Sequence, residues 1–141
     1  MNRVNIDELE PTEDCLSLIY RGQPFAGIAY EENDAGVVIA EAQYLDGQKA
    51  GVAREWSTSG TLTKEQSFVF DSLHGSSREW YESGVPKIDA TYELGICLRK
   101  TEWAPDGSVL GNFVLQEGSP QFGTLEKLRA SSIGQAVKRS V

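Results

Sequence analysis

The residues with the plainest chemical potential are carboxylates that recur in register. Glu55, Glu79 and Glu102 each precede a tryptophan, and Glu41, Glu65 and Asp89 each stand five residues after a glycine. Paired carboxylates can do general acid–base work, but glycoside-type chemistry needs two carboxyls in different environments. These six arise by repetition, so their environments read as equivalent. The single histidine, His74, is the one base available to a Ser-His-Asp arrangement. It falls at a turn position of the repeat described below, which reads as structural. Neither a Gly-x-x-x-x-Gly-Lys-Ser/Thr phosphate loop nor a Gly-x-Ser-x-Gly elbow occurs. A zinc site takes about four ligands, and Cys15, Cys97 and His74 supply three. The two cysteines, 82 positions apart, read as reduced thiols, with a long-range disulfide as the alternative. The expectation is a protein that is not an enzyme, with no catalytic residue, cofactor or metal.

Charge narrows the partners. The 141 residues hold 13 Lys and Arg against 21 Asp and Glu, a net charge of −8. Phosphate contacts need basic side chains, so nucleic acid is excluded as a partner, and an anionic membrane surface is disfavoured. No apolar run is long enough for a transmembrane helix. The segment Met1 to Glu8 lacks the apolar core of a signal peptide, so the chain reads as cytoplasmic. Hydrophobic residues make up 40%, too many for a disordered chain. Globular scaling allows about two thirds of the unfolded surface to be buried at this size.

The elements that would position the carboxylates follow from an internal period. Gly36, Gly60, Gly84 and Gly107 are spaced by 24, 24 and 23 residues. Tyr30, Trp56, Trp80 and Trp103, spaced by 26, 24 and 23, form an aromatic column. Each unit reads as two strands. Gly51–Trp56 leads into the turn 57–60, and the alternating, β-branched stretch Thr61–Phe68 follows. Turn signals every 8–12 residues point to an all-β protein. Stacking the second strands by register gives one mostly apolar side, which Lys64 and Gln66 interrupt. The acidic column Glu41, Glu65 and Asp89 lies on the other side. A second acidic column, Glu55, Glu79 and Glu102, faces away from the tryptophans. Pro86 belongs at a strand start or an unpaired edge position. The tryptophans read as a packing spine between hairpins.

Three segments are expected: residues 1–13 as a flexible acidic arm, 14–116 as the β-hairpin repeat domain, and 117–141 as a C-terminal cap or tail. Leu125, Leu128 and Ala136 fit one helical face imperfectly, consistent with a helix capping the last repeat.

The motif Tyr44-x-x-Gly47-x-x-x-Gly51-x-x-x-x-Trp56-x-x-x-Gly60-x-Leu62 resembles the variant MORN repeat of bacterial antitoxin-like proteins. A second copy runs from Leu73-His74-Gly75 through Trp80-Tyr81 to Gly84. A third, Tyr92 to Gly107, has Arg99 or Lys100 where the repeat has glycine, and the first, from Tyr20 to Gly36, is degenerate. The resemblance covers about 100 residues. It implies an elongated, single-layer antiparallel sheet of about four tandem hairpins. It also implies an immunity or antitoxin protein that binds a cognate toxin and occludes its active site. The acidic columns would complement a basic toxin cleft and steer association. Tyr81 would supply an interface anchor. A non-enzymatic protein–protein scaffold is the alternative. The chain is expected to be a monomer or a weak dimer through its end strands.

Overall fold

A computed structural model describes residues 2–140. Its larger sheet has nine strands in the order β1 (Asn2–Asn5), β5 (Gly27–Glu32), β6 (Val38–Leu45), β7 (Gln48–Trp56), β8 (Leu62–Val69), β9 (Ser72–Trp80), β10 (Pro86–Glu93), β11 (Ile96–Trp103) and β12 (Val109–Val114). From β5 onward each strand pairs antiparallel with the next, whereas β1 pairs parallel with β5. A small sheet joins β2 (Glu10–Pro11), β3 (Leu18–Tyr20) and β4 (Gln23–Pro24). Two helices, α1 (Pro120–Ala130) and α2 (Ser132–Ser140), end the chain.

The protein is thus mostly β, but it is not one single-layer antiparallel sheet of hairpins. The sheet is mixed, a second sheet packs beside it, and the C-terminus is helical. Residues 2–11 are not a flexible arm. They form β1, a 3-10 turn at Ile6–Glu8 and β2, and Met1 lies outside the described residues. Val4 and Leu9 explain the difference. Both are buried with Phe25 and Ala29, against Leu18, Tyr20 and Tyr44. The acids around them turn outward, so a charge count alone misjudges the segment. Tyr20 and Tyr44 each contact the Phe25 ring, at centroid distances of 6.0 and 5.7 Å.

The period of the sequence is a period of turns. At Asn33, Ser57, Tyr81 and Ala104 the backbone N–H donates to the carbonyl four residues on, at 2.8–2.9 Å. The carbonyl of each accepts from the N–H of Gly36, Gly60, Gly84 or Gly107, also at 2.8–2.9 Å. All four glycines have φ between 79° and 91°, a region in which a side chain would be strained. The opposite ends of the hairpins close on two residues that both have positive φ: Asp46-Gly47, Phe70-Asp71 and Leu94-Gly95. That is the geometry whose twist matches paired strands. These turns also hold neighbouring hairpins together. Gly47, Asp71 and Gly95 donate to the carbonyls of Phe25, Lys49 and Leu73 at 2.8–3.0 Å.

Two irregularities of the sequence have one cause. Between Tyr44↔Lys49 and Ala42↔Ala53, β7 carries two more residues than β6, and β9 carries two more than β8 between Phe68↔Leu73 and Gln66↔Ser77. Gly51 and Gly75 sit in these bulges with φ of 104° and 106°. In the third hairpin β11 carries only one extra residue, between Tyr92↔Cys97 and Thr91↔Arg99. The missing residue is the glycine, and its loss shortens the last spacing to 23.

The C-terminal segment is a pair of helices rather than one helix or a tail. Ser119 caps α1, its Oγ accepting from the Phe122 N–H at 3.2 Å, and Pro120 opens it, as the first turn tolerates. Ser131 makes the joint: its N–H donates to the Leu128 carbonyl at 3.1 Å, and its Oγ accepts from the Gly134 N–H at 3.2 Å. A side chain at 134 would collide with the carbonyls of Leu128 and Arg129, so the close turn between the helices requires glycine. Leu125 and Val137 are buried, whereas Ile133 is exposed.

Phe25 is 1% exposed and bridges the two sheets. Phe25→Ala is expected to cost about 3–5 kcal/mol, read as a lowered denaturation midpoint in urea with far-UV circular dichroism unchanged before the transition.

Candidate functional site

The pairing register sorts the carboxylates into two rows, one on each side of the sheet. One row runs Tyr30↔Glu41↔Arg54↔Glu65↔Arg78↔Asp89↔Thr101↔Asn112. Acid and base alternate across five strands. Arg54 Nε donates to Glu65 at 2.8 Å and its Nη1 lies 3.8 Å from Glu41. Arg3 Nη1 reaches Glu41 at 2.7 Å, its guanidinium lying 4.8 Å from the Tyr30 ring centre. Arg78 lies 3.8 Å from Asp89. Glu41, Glu65 and Asp89 therefore form no uncompensated acidic column. The arginines that precede Glu-Trp in the sequence are their cross-strand partners.

The other row runs Glu31↔Ala40↔Glu55↔Lys64↔Glu79↔Ile88↔Glu102↔Gly111. Its four glutamates alternate with residues of other kinds and stand two strands, or about 10 Å, apart. Lys64 Nζ lies 3.5 Å from Glu55, and Lys100 Nζ 2.7 Å from Glu102. Lys64 interrupts the apolar side because it stands between Glu55 and Glu79. Gln66 does so because its Nε2 donates to the buried Ser77 Oγ at 3.0 Å.

Glu31 belongs to this set, and the aromatic column concealed it. Trp56, Trp80 and Trp103 pair with Leu62, Pro86 and Val109, and the matching residue of the first unit is Glu32, paired with Val38. Tyr30 sits two positions earlier, in the row of Arg54 and Arg78. The spacing of 26 before Trp56 carries the signal: a spacing of 24 leads to Glu32 and places Glu31 beside it. Nor do the tryptophans form a spine of ring contacts. They are half-buried, two strands apart, and the ring–ring contacts among the described residues are Tyr20–Phe25 and Phe25–Tyr44. Tyr81 is half-buried too. Its hydroxyl donates to the Trp103 carbonyl at 2.8 Å and Lys87 lies over its ring, so it braces two neighbouring turns and leaves only part of its ring outward.

A cavity of about 860 Å³ lies away from both rows, between α1, α2 and the strands carrying His74, Tyr92 and Leu98. His74 Nδ1 accepts from the Leu94 N–H at 3.0 Å. Glu93 receives two hydrogen bonds from Arg129, at 2.6 and 2.8 Å. These bonds hold the Glu93 carboxyl below the usual glutamate range. Cys15 and Cys97 are free thiols. No group of three His, Cys, Asp or Glu converges on a point, and no helix is long and apolar enough to cross a membrane, among the described residues.

No family model matches this chain, and no curated protein matches it. The crystal structure of TarM is similar over 78% of this chain and 20% of TarM, at 15% identity and a TM-score of 0.41. The chain therefore spans a fifth of that protein's length.

Two outcomes follow from this geometry. Arg54→Gln leaves Glu41 and Glu65 without their shared partner. Because these side chains are partly exposed, the expected loss is about 1 kcal/mol or less, greater in low salt than in high, by urea denaturation. Docking of the C-terminal helices draws on ionised Glu93. With its pKa lowered by folding, that contribution is complete above the ordinary value of 4.5 and is lost as pH falls through the lowered value. Limited proteolysis at neutral pH is expected to release the segment after Gln116 earlier in Glu93→Gln than in the native chain, and this difference should vanish as pH falls through the lowered value.

Proposed function

We propose that this chain is a non-catalytic, cytoplasmic immunity or antitoxin protein, which neutralises a cognate bacterial toxin by covering a basic active-site cleft. The supporting observation is the difference between the two sides of the sheet. Glu41, Glu65 and Asp89 are matched by arginines on one side. On the other, Lys64 and Lys100 meet Glu55 and Glu102, while Glu31 and Glu79 have no ion-pair partner among the described residues, which leaves the row net negative. A side with unmatched negative charge accelerates encounter with a basic partner, whereas a matched ladder contributes little field. The reading also rests on the similarity to variant MORN repeats in Tyr44–Leu62 and Leu73–Gly84. Glu31, Glu55, Glu79 and Glu102 are the binding carboxylates on this reading, while Glu41, Glu65 and Asp89 stabilise the sheet. A scaffold that joins proteins without inhibiting them is favoured by a different feature, the uncovered apolar strand β12.

The test is capture from the native host with tagged protein at low and high salt, followed by association kinetics with the partner recovered. The expected result is one dominant toxin with a basic cleft, lost at high salt. Its association rate should fall about tenfold with Glu55→Gln and Glu79→Gln together and stay unchanged with Glu65→Gln. Several unrelated partners retained at high salt would overturn the immunity reading in favour of the scaffold.

A further inference from the structure

The cavity beside the C-terminal helices sets uncommitted hydrogen-bond donors next to apolar walls. Its volume of about 860 Å³ falls within the range of small-molecule sites, about 300–1,000 Å³. Leu94 and Leu98 line it from the sheet, and Ala130 and Val137 from the helices. The charged groups around it divide by their engagements. Glu93 is taken by Arg129 through two hydrogen bonds. Glu126 stands on α1 within electrostatic range of the same guanidinium. Lys138 has no carboxylate within ion-pair distance among the described residues, which leaves its charge available to a ligand. His74 is a second donor. Its Nδ1 accepts from the Leu94 N–H at 3.0 Å, so the ring proton sits on Nε2. No described residue accepts from Nε2–H, and no buried side-chain nitrogen lacks a partner, so this group is open to solvent on the cavity wall. The repeat itself does not require the histidine. The bond from the Gly95 N–H to the Leu73 carbonyl is matched in the preceding hairpin by that from Asp71 to Lys49, and there the position of His74 is filled by Ala50.

We propose that this cavity binds a small organic carboxylate with an apolar body. The body rests on Leu94, Leu98 and Val137, and the carboxylate accepts from His74 Nε2–H and from the Lys138 ammonium. Two donors without acceptors call for a ligand that brings acceptor oxygens, and hydrogen bonds to an ionised acceptor are the strong ones. A cationic ligand is disfavoured, because both uncommitted groups would meet it donor to donor, while Arg129 already offsets the carboxylates of Glu93 and Glu126. The site lies apart from the two charge rows and does not rest on the immunity reading. Its walls come from both the sheet and the helical pair, so a bound ligand ties the two together and stabilises the docked helices by mass action.

Isothermal titration calorimetry of the full chain at neutral pH, with naphthoate, naphthylmethanol and protonated naphthylmethylamine, separates the apolar body from the charge. The expected result is saturable binding of one naphthoate per chain, with the alcohol and the amine each about tenfold weaker or more. Lys138→Gln should weaken naphthoate about tenfold and leave the alcohol unchanged. His74→Ala, which installs the residue of the preceding hairpin, should weaken naphthoate by a similar factor. Ala130→Trp fills the cavity and should abolish binding of both. Naphthoate should also slow proteolytic release of the segment after Gln116. No saturable binding of any probe up to millimolar concentration would overturn the proposal. So would an alcohol or amine that binds as well as naphthoate, or naphthoate binding that survives Lys138→Gln and Ala130→Trp. If His74→Ala does not fold by circular dichroism, Lys138→Gln carries the same test from the helical wall.

Discussion

The backbone hydrogen-bond ladder across nine strands is the interaction on which the rest of the structure depends. Side-chain burial alone is modest. Eight hydrophobic residues are buried among the described residues, and the accessible surface is 8790 Å², where a compact chain of this mass would expose about 7200 Å². A sheet with so little packed above and below it draws much of its cohesion from within the plane. In-plane cohesion fixes register, and register decides which side chains are neighbours. The Glu–Arg ladder, the glutamate row and the placement of Ser77 beneath Gln66 are all consequences of which backbone groups pair.

Conventional packing is concentrated at the two ends of the chain. Phe25, with Val4 and Leu9, closes the first strands against the small sheet. Leu125 and Val137 bury the helical pair near β10. Between them the interior of the sheet is lined by small residues, such as Ala29 and Ala90, flanked by Tyr44, Phe68 and Tyr92. The stability of the array is therefore shared between neighbouring strands, with a denser closure at each end, as repeat architectures require.

Much of this was legible in the sequence, for a physical reason: turns have residue requirements that survive in a single chain. Glycine at φ near 90° admits few substitutes, so Gly36, Gly60, Gly84 and Gly107 announced the hairpins, and the strand Leu62–Val69 lies within a residue of its reading. Pro86 opens β10 as proline should. The N-terminal strands were not legible, because Val4 and Leu9 acquire their meaning from Phe25 and Ala29, which lie well beyond them in the chain. The charge ladder was hidden for a related reason. Arg54 and Glu65 are 11 positions apart, and only the antiparallel register makes them opposite. Counting carboxylates column by column gives their alignment but not what stands between the columns. Tyr30 misled because chemical likeness to tryptophan outweighed a spacing that was two residues too long.

The shortened bulge in β11 shows where this architecture stores its tolerance to change in length. Turns are the usual place for a chain to gain or lose residues, yet here the four glycine turns keep one length and the two-residue turns keep another. The residue lost from the third unit came out of a strand interior. Side chains alternate with a period of two, so a loss of one residue would exchange the two sides of a regular strand. A bulge already holds residues outside that count, and it can surrender one without inverting what lies beyond. Cys97 keeps the position of Leu73, and Thr101 keeps that of Arg78. The bulges act as expansion joints, and they let the repeat vary in length while the faces it presents stay in phase.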